Sequence, residues 1–379
     1  MHVGIVSWRS YGFADWLSAI RPSLGNEQLI VCCKEGELES YSEALAKSNA
    51  IAFSPEKMHG ILGWEKSGNM HTIGHCRNLI LLTSQILAGH ENLVFFDDDV
   101  FPSGQSIRSF RSSFEKYDLV QGNYLGDDAN GIRQMVAFFG LLENAYAGRT
   151  NDFSGALLCL RGKCGSMPEL QPQELKGSAG GVLGISSRLK ARMHFAPTTY
   201  RCEDHFYEFY SRFKLKEMKF MDPGVSPEDI PLALHSRECG NLDSLVSAYL
   251  LELRSQIAEK YLYFKLAGAL PAIMNGKHAL VRSNHFDPTA IAEQSAQESA
   301  LQKMQTAARF YLSKNPPEEV AQQLQRFANI KLEDFALGLA ELERIYSDFK
   351  VEGEKLEEAA RSRQKKSMEN ELRKLLVQV

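Results

Sequence analysis

The sequence predicts an α/β protein built on a mostly parallel sheet, followed by an all-α C-terminal region. Three observations predict it. Short β-type runs alternate with helix-type segments through the first hundred residues, strand signals stop after His235, and from about Asn241 apolar residues recur at helical spacing. At 379 residues the chain is long for one minimal domain and short for three, so it divides into an α/β domain over 1–240 and a helical region over 241–379.

The elements follow in order. Residues 2–8, 28–33, 49–53 and 92–96 are apolar runs of strand length, and 76–88 carries Leu79, Leu82 and Ile86 at helical spacing just before the fourth run. A polar amphipathic segment at 105–118 leads to another strand at 119–124. Residues 126–176 are rich in Gly, Asn and Asp and read as loops around one helix at 131–146, the kind of segment that carries substrate contacts in α/β enzymes. Residues 177–185 then read as a glycine-rich turn feeding a strand, a charged helix covers 203–213, and 231–235 is the last strand. Residues 243–264 read as a helix. Pro316-Pro317-Glu318-Glu319 opens another, since proline suits the first turn and acids suit its dipole. The final stretch, 352–379, pairs Glu357 with Arg361 and Glu369 with Arg373 at four-residue spacing and reads as a solvated helix or a partner-binding arm, with a homo-oligomer through these helices as one expectation.

Composition narrows the class. Charged residues at 24% and hydrophobic ones at 44% are ordinary globular values, and a net charge of -4 gives no global pull toward nucleic acid or anionic membrane. No stable nucleic-acid binding is expected. The longest apolar stretch, 262–274, is broken by Lys265 and Pro271, so no transmembrane segment is predicted. The start lacks a basic, then apolar, then small-residue signal pattern. Seven cysteines, odd in number and without CxxC spacing, indicate neither a disulfide framework nor a zinc site. Reduced thiols and a cytoplasmic location are the expectation.

The chemistry gathers at Asp97-Asp98-Asp99, directly after Leu93-Val94-Phe95-Phe96. Acids at the carboxyl end of a buried parallel strand stand where ligands bind in open α/β sheets. Residues two apart on an extended chain share a side, so Asp97 and Asp99 are placed to share one ion while Asp98 faces away. Three adjacent carboxylates repel unless compensated, and hard oxygen ligands suit Mg or Mn. An acidic turn capping a strand is the bland alternative.

Phe95-Phe96-Asp97-Asp98-Asp99-Val100 resembles the DXD motif of GT-A fold glycosyltransferases of the family-2-like kind, and Gly74-His75-Cys76-Arg77-Asn78 is similar to the segment that precedes it there. The resemblance covers roughly residues 1–240. It implies a Rossmann-like, mostly parallel sheet sandwiched by helices, with the aspartates on the metal and the nucleotide sugar and Arg77 and Asn78 near the nucleotide. For Arg77 an ion pair with the acidic triplet explains the residue equally well. Gly180-Gly181-Val182 followed by Glu203-Asp204 resembles the acceptor-side pattern, in which the glycines admit the sugar and an acid serves as general base. The acids equally suit a helix N-terminus. The resemblance makes His235 a third metal ligand beside Asp97 and Asp99, and puts Ser7, Trp8 and Glu35 at the nucleotide base.

The resemblance thus implies a metal-dependent glycosyltransferase, most simply a hexosyltransferase, with Mn or Mg as cofactor and a UDP- or GDP-sugar as donor to an unidentified acceptor. A catalytically inactive nucleotide-sugar-binding or scaffold protein acting through its helical C-terminus is the other reading. A haloacid-dehalogenase-like phosphatase would want Thr or Val where Phe101 stands, and a dinucleotide oxidoreductase would want GxGxxG where Val6-Ser7-Trp8-Arg9-Ser10 stands. Nucleotidyltransferases typically open with a glycine-rich basic loop after the first strand, which is missing too.

Overall fold

A computed structural model of the chain describes residues 1–8, 12–46, 48–65, 68–98, 100–122, 124–126, 138–140, 142–143, 146–147, 182–201, 203–220, 233–235, 242–274, 277–362 and 365–377. Its first part runs β1 (His2–Val6), α1 (Phe13–Leu24), β2 (Gln28–Cys32), α2 (Leu38–Leu45), β3 (Ala50–Phe53), α3 (Pro55–Leu62), α4 (Ile73–Ala88) and β4 (Leu93–Phe96). These four strands pair in parallel in the order β3-β2-β1-β4. Their side chains alternate between two buried layers. Ile30, Cys32, Ile51, Phe53 and Phe95 meet α4 on one face, while Leu29, Val31, Ala52, Val94 and Phe96 meet α1 on the other. Burial on both faces is why these runs read as continuous apolar stretches.

The chain steps outward from β1 to β3 and then returns past β1 to lay down β4. That reversal makes a crevice at the carboxyl ends of β1 and β4, the topological switch point of the sheet.

There follow β5 (Val100–Phe101), α5 (Gly104–Ser113), β6 (Leu119–Gln121), β7 (Tyr124–Gly126), β8 (Val182–Ile185), α6 (Ser187–Lys190), α7 (Glu203–Lys214) and β9 (Ala233–His235). Strand β8 runs antiparallel between β4 and β6 and extends the main sheet. Strands β5, β9 and β7 form a small second sheet beside the acidic strand end. The predicted helix at 131–146 falls mostly outside the described residues.

The C-terminal part consists of α8 (Leu242–Ala267), β10 (Ala269–Met274), β11 (Lys277–Arg282), α9 (Pro288–Glu298), α10 (Leu301–Leu312), α11 (Glu318–Ala328), α12 (Leu339–Arg361), α13 (Lys365–Lys374) and β12 (Leu376–Val377). It departs from the all-α expectation at the antiparallel pair β10-β11; in the sequence the two strands are separated by Asn275-Gly276, a dipeptide suited to hairpin turns. The final stretch also departs from one solvated helix. The backbone turns extended at Ser362, Met368 and Leu372 are buried, and β12 pairs antiparallel with β3, covering that edge of the sheet. Tyr249, Leu253, Tyr261, Phe349 and Leu372 lie in the same buried cluster as Leu79 and Ile80 of α4. No helix among the described residues is long and apolar enough to cross a membrane.

Candidate functional site

The switch point is tied across by side chains. Ser7, the residue after β1, donates its hydroxyl to the Asp98 carboxylate at 2.7 Å and lies 2.6 Å from the Tyr41 hydroxyl. Ser7 and Asp98, both expected at the nucleotide, are bonded to each other. Asp97, the first residue after β4, keeps a half-exposed carboxylate. Asp99, Gly180 and Gly181 lie outside the described residues. His235 is described by its backbone, which pairs with Val100 in the small sheet and so brings β9 alongside the strand that leaves the acidic run.

Arg77 stands at the centre of the acids. Helix α4 begins at the Thr72 cap, whose Oγ accepts from the His75 amide, and its first turn presses directly on the chain at Ala196. A Cβ on Gly74 would fall 2.0 Å from the Ala196 carbonyl oxygen, so only glycine permits this approach. Three residues on, the Arg77 guanidinium is buried 5.8 Å from the Phe95 ring and 5.5 Å from the Phe195 ring. It lies 3.2 Å from Asp97 and 3.7 Å from Glu203, and pairs still more closely with Asp204. The ion pair that the sequence left open is therefore present.

Glu203 and Asp204 open α7, where the helix dipole favours acids. One guanidinium faces three carboxylates, and Glu203 is buried. Burial pushes its carboxyl up, with Arg77 opposing and Asp97 adding to the rise.

Beside these groups a cavity of about 460 Å³ is lined by Trp8, Lys34, Glu35, Gly36, Glu56 and His71. It lies over the ends of β1, β2 and β3, so two residues expected at the nucleotide base share one space. Glu35 is held by the hydroxyl of Ser54, which also caps α3 by accepting from the Lys57 amide. His71 lies 3.3 Å from Glu56 and meets the Trp8 ring edge-on at 6.3 Å.

Asn78 faces inward. Its amide group donates to the Phe195 carbonyl and to Glu352, both at 3.0 Å, and its oxygen accepts from the Phe195 amide at 2.7 Å. Tyr41, Phe195 and Glu352 had no local signal in the sequence, because each reaches the site from a distant part of the chain.

No group of three or more metal-ligating side chains occurs among the described residues. The donor chemistry nevertheless suits a hard divalent ion. Asp97 offers a partly exposed carboxylate, and β9 carries His235 opposite Val100, while Asp99 lies outside the described residues.

No protein-family model matches the chain, and no curated protein matches it. Among solved structures, mouse xyloside xylosyltransferase 1 in its apo form is similar at 13% identity over 57% of this chain and 74% of that chain, with a TM-score of 0.26. A likeness of that size carries no argument.

Proposed function

We propose that this chain is a metal-dependent glycosyltransferase that moves a sugar, a hexose most simply, from a UDP- or GDP-sugar to an acceptor. One observation carries the reading: at the switch point of a parallel sheet, Arg77 gathers Asp97, Glu203 and Asp204 within ion-pair distance, beside a cavity that Trp8 and Glu35 line. Asp97, Asp99 and His235 would hold Mn or Mg, which when bound supplies positive charge to the departing nucleoside diphosphate. Arg77 adds a fixed cation at the same edge. Trp8 offers a ring face to the base. Glu203 or Asp204 takes the proton of the acceptor hydroxyl, and burial holds the Glu203 pKa above its ordinary value.

A thermal-shift screen of UDP-, GDP- and dTDP-sugars with and without Mn tests this. Ligand at a hundred times its Kd stabilises by about 2.7 kcal/mol. A shift that needs the metal and vanishes in Asp99→Ala supports the reading, and a melting curve that no nucleotide moves under any metal condition overturns it.

A second reading, an inactive nucleotide-sugar-binding scaffold, is favoured by Arg77 itself, which neutralises part of the acidic cluster without any ion. Metal-dependent hydrolysis of the donor in the absence of acceptor separates the two, since a scaffold binds without turnover.

A further inference from the structure

Helix α4 carries a second buried polar system around His75. The His59 and His75 rings face each other with their Nε2 atoms 2.9 Å apart. Beyond them, His75 Nδ1 lies 2.7 Å from the Glu352 carboxylate and His59 Nδ1 lies 3.0 Å from the Glu65 carbonyl oxygen. Both ends of this chain are acceptors. Three hydrogen bonds in a row then require three protons on two imidazoles, which is one imidazolium and one neutral ring. Burial and the neighbouring His75 hold the His59 pKa below its ordinary value. Glu352 is the counter-ion: burial pushes its carboxyl up, and the hydrogen bond and charge of His75, with Asn78, pull it below its ordinary value.

Glu352 belongs to α12, 277 residues downstream of His75 and 274 downstream of Asn78, and the contacts lead from it to the acidic site without a gap. Its Oε1 accepts from Asn78, Asn78 clamps the Phe195 backbone on both sides, and the Phe195 ring lies against the Arg77 guanidinium. The same helix holds the neighbouring residue. The Phe349 carbonyl lies 3.0 Å from His194 Nε2, the two rings stack at 4.3 Å, and a Cβ on Gly353 would fall 2.5 Å from the His194 ring. Residues 194–196 are thus gripped between α4 and α12.

We propose that Glu352 is a positioning residue of the acidic site, setting the place of the Arg77 guanidinium through Asn78 and Phe195. Its effect on turnover rests on the nucleotide-sugar reading above, whereas its effect on the Arg77 side chain does not. In the full chain, solvent exchange of the Arg77 Nε proton, followed by NMR and assigned with Arg77→Lys, reads that placement directly. Loss of a charge-assisted hydrogen bond corresponds to roughly a tenfold to hundredfold change in an opening equilibrium. We expect Glu352→Ala to speed Arg77 exchange by about that factor, and Glu352→Gln, which keeps an acceptor for Asn78, to recover part of the protection. Arg21 is the control, since it bonds Ala44 and Ser48 beside the opposite layer of the sheet. Unchanged Arg77 exchange in both variants, or equal acceleration at Arg21, overturns the proposal, the latter because it reports general loosening. If Glu352→Ala does not fold, Glu352→Gln alone decides by the same comparison. Wild-type protein that turns over no donor overturns the nucleotide-sugar reading and leaves the exchange result standing. Where turnover is present, the expected signature in Glu352→Gln is a fall in kcat with KM little changed.

Discussion

The Arg77 guanidinium lies 3.2 Å from the Asp97 carboxylate, joining the first turns of α4 to the end of β4. Asp97 is 43% exposed on its side chain, so water screens that pair, and the stronger holds are the buried Glu203 and the partly buried Asp204. Removing one partner of a buried ion pair leaves uncompensated charge and costs about 3–5 kcal/mol. Arg77→Ala is expected to lose stability of that order in urea denaturation at neutral pH. Arg77→Lys should lose less, since it keeps the charge but not the planar fork between Phe95 and Phe195. A loss under about 1 kcal/mol in Arg77→Ala would mean the acids are satisfied elsewhere.

Glu203 makes a pH prediction with a definite sign. Its carboxyl is raised in the folded state, chiefly by burial, so the folded chain binds a proton the unfolded chain releases. The stability it contributes is fully present below the ordinary glutamate pKa of about 4.3 and is lost as pH rises through the raised value. Glu203→Gln, which stays neutral, is expected to remove that decline from a plot of melting temperature against pH. In a donor-hydrolysis assay the sign reverses: a base must be deprotonated, so wild-type activity falls as pH drops through the raised value. An acid limb that survives unaltered in both Glu203→Gln and Asp204→Asn removes these two residues from the role.

Much of this was legible where the physics is local. The four parallel strands declare themselves as buried apolar runs, the acids stand directly at a strand end, and α7 begins at its acidic pair. Arg77 was recognisable as a residue owed a negative partner, but its choice among phosphate, Asp97, Glu203 and Asp204 depends on how α4 meets α7, which no nearby residue encodes. The C-terminal region was harder to read because its charges balance in pairs, as on a solvated helix, while its buried contacts are spaced far apart in sequence. Glu352 resembles any other glutamate of that charged stretch until α12 is laid against α4. The hairpin at 269–282 had a signal in Asn275-Gly276, outweighed by the helical periodicity on either side.

Gly74 offers a steric test of how α4 is seated. An added Cβ would meet the backbone oxygen of Ala196 at 2.0 Å, and backbone gives way less readily than the end of a side chain. Gly74→Ala is expected to cost at least the 1–3 kcal/mol typical of overpacking and to disturb Arg77, three residues along. Chemical denaturation measures the first effect, and Arg77 Nε exchange the second. A Gly74→Ala protein of wild-type stability would show that α4 and residues 194–196 are seated differently.

His2 sets an acid limit on the fold that is independent of the acidic site. Its ring is buried at the start of β1, 2.8 Å from the Ser84 hydroxyl, which also receives the Lys190 ammonium at 2.8 Å. Lysine only donates, so the hydroxyl accepts from Lys190 and its own proton is available to His2 Nδ1. Burial first, and then the positive charges of Lys190 and the α-amino group, lower the His2 pKa from 6.5 to about 4. A depressed histidine contributes stability that is present above the unfolded value and lost as pH falls through the folded one. At 1.36 kcal/mol per unit the full effect is roughly 3 kcal/mol, spread between pH 6.5 and about 4. His2→Gln should be less stable than wild type at pH 7 yet lose less on acidification, so that urea midpoints measured at neutral pH and near the lower limit draw together. Parallel acid limbs in the two proteins would show that His2 is not the group being titrated.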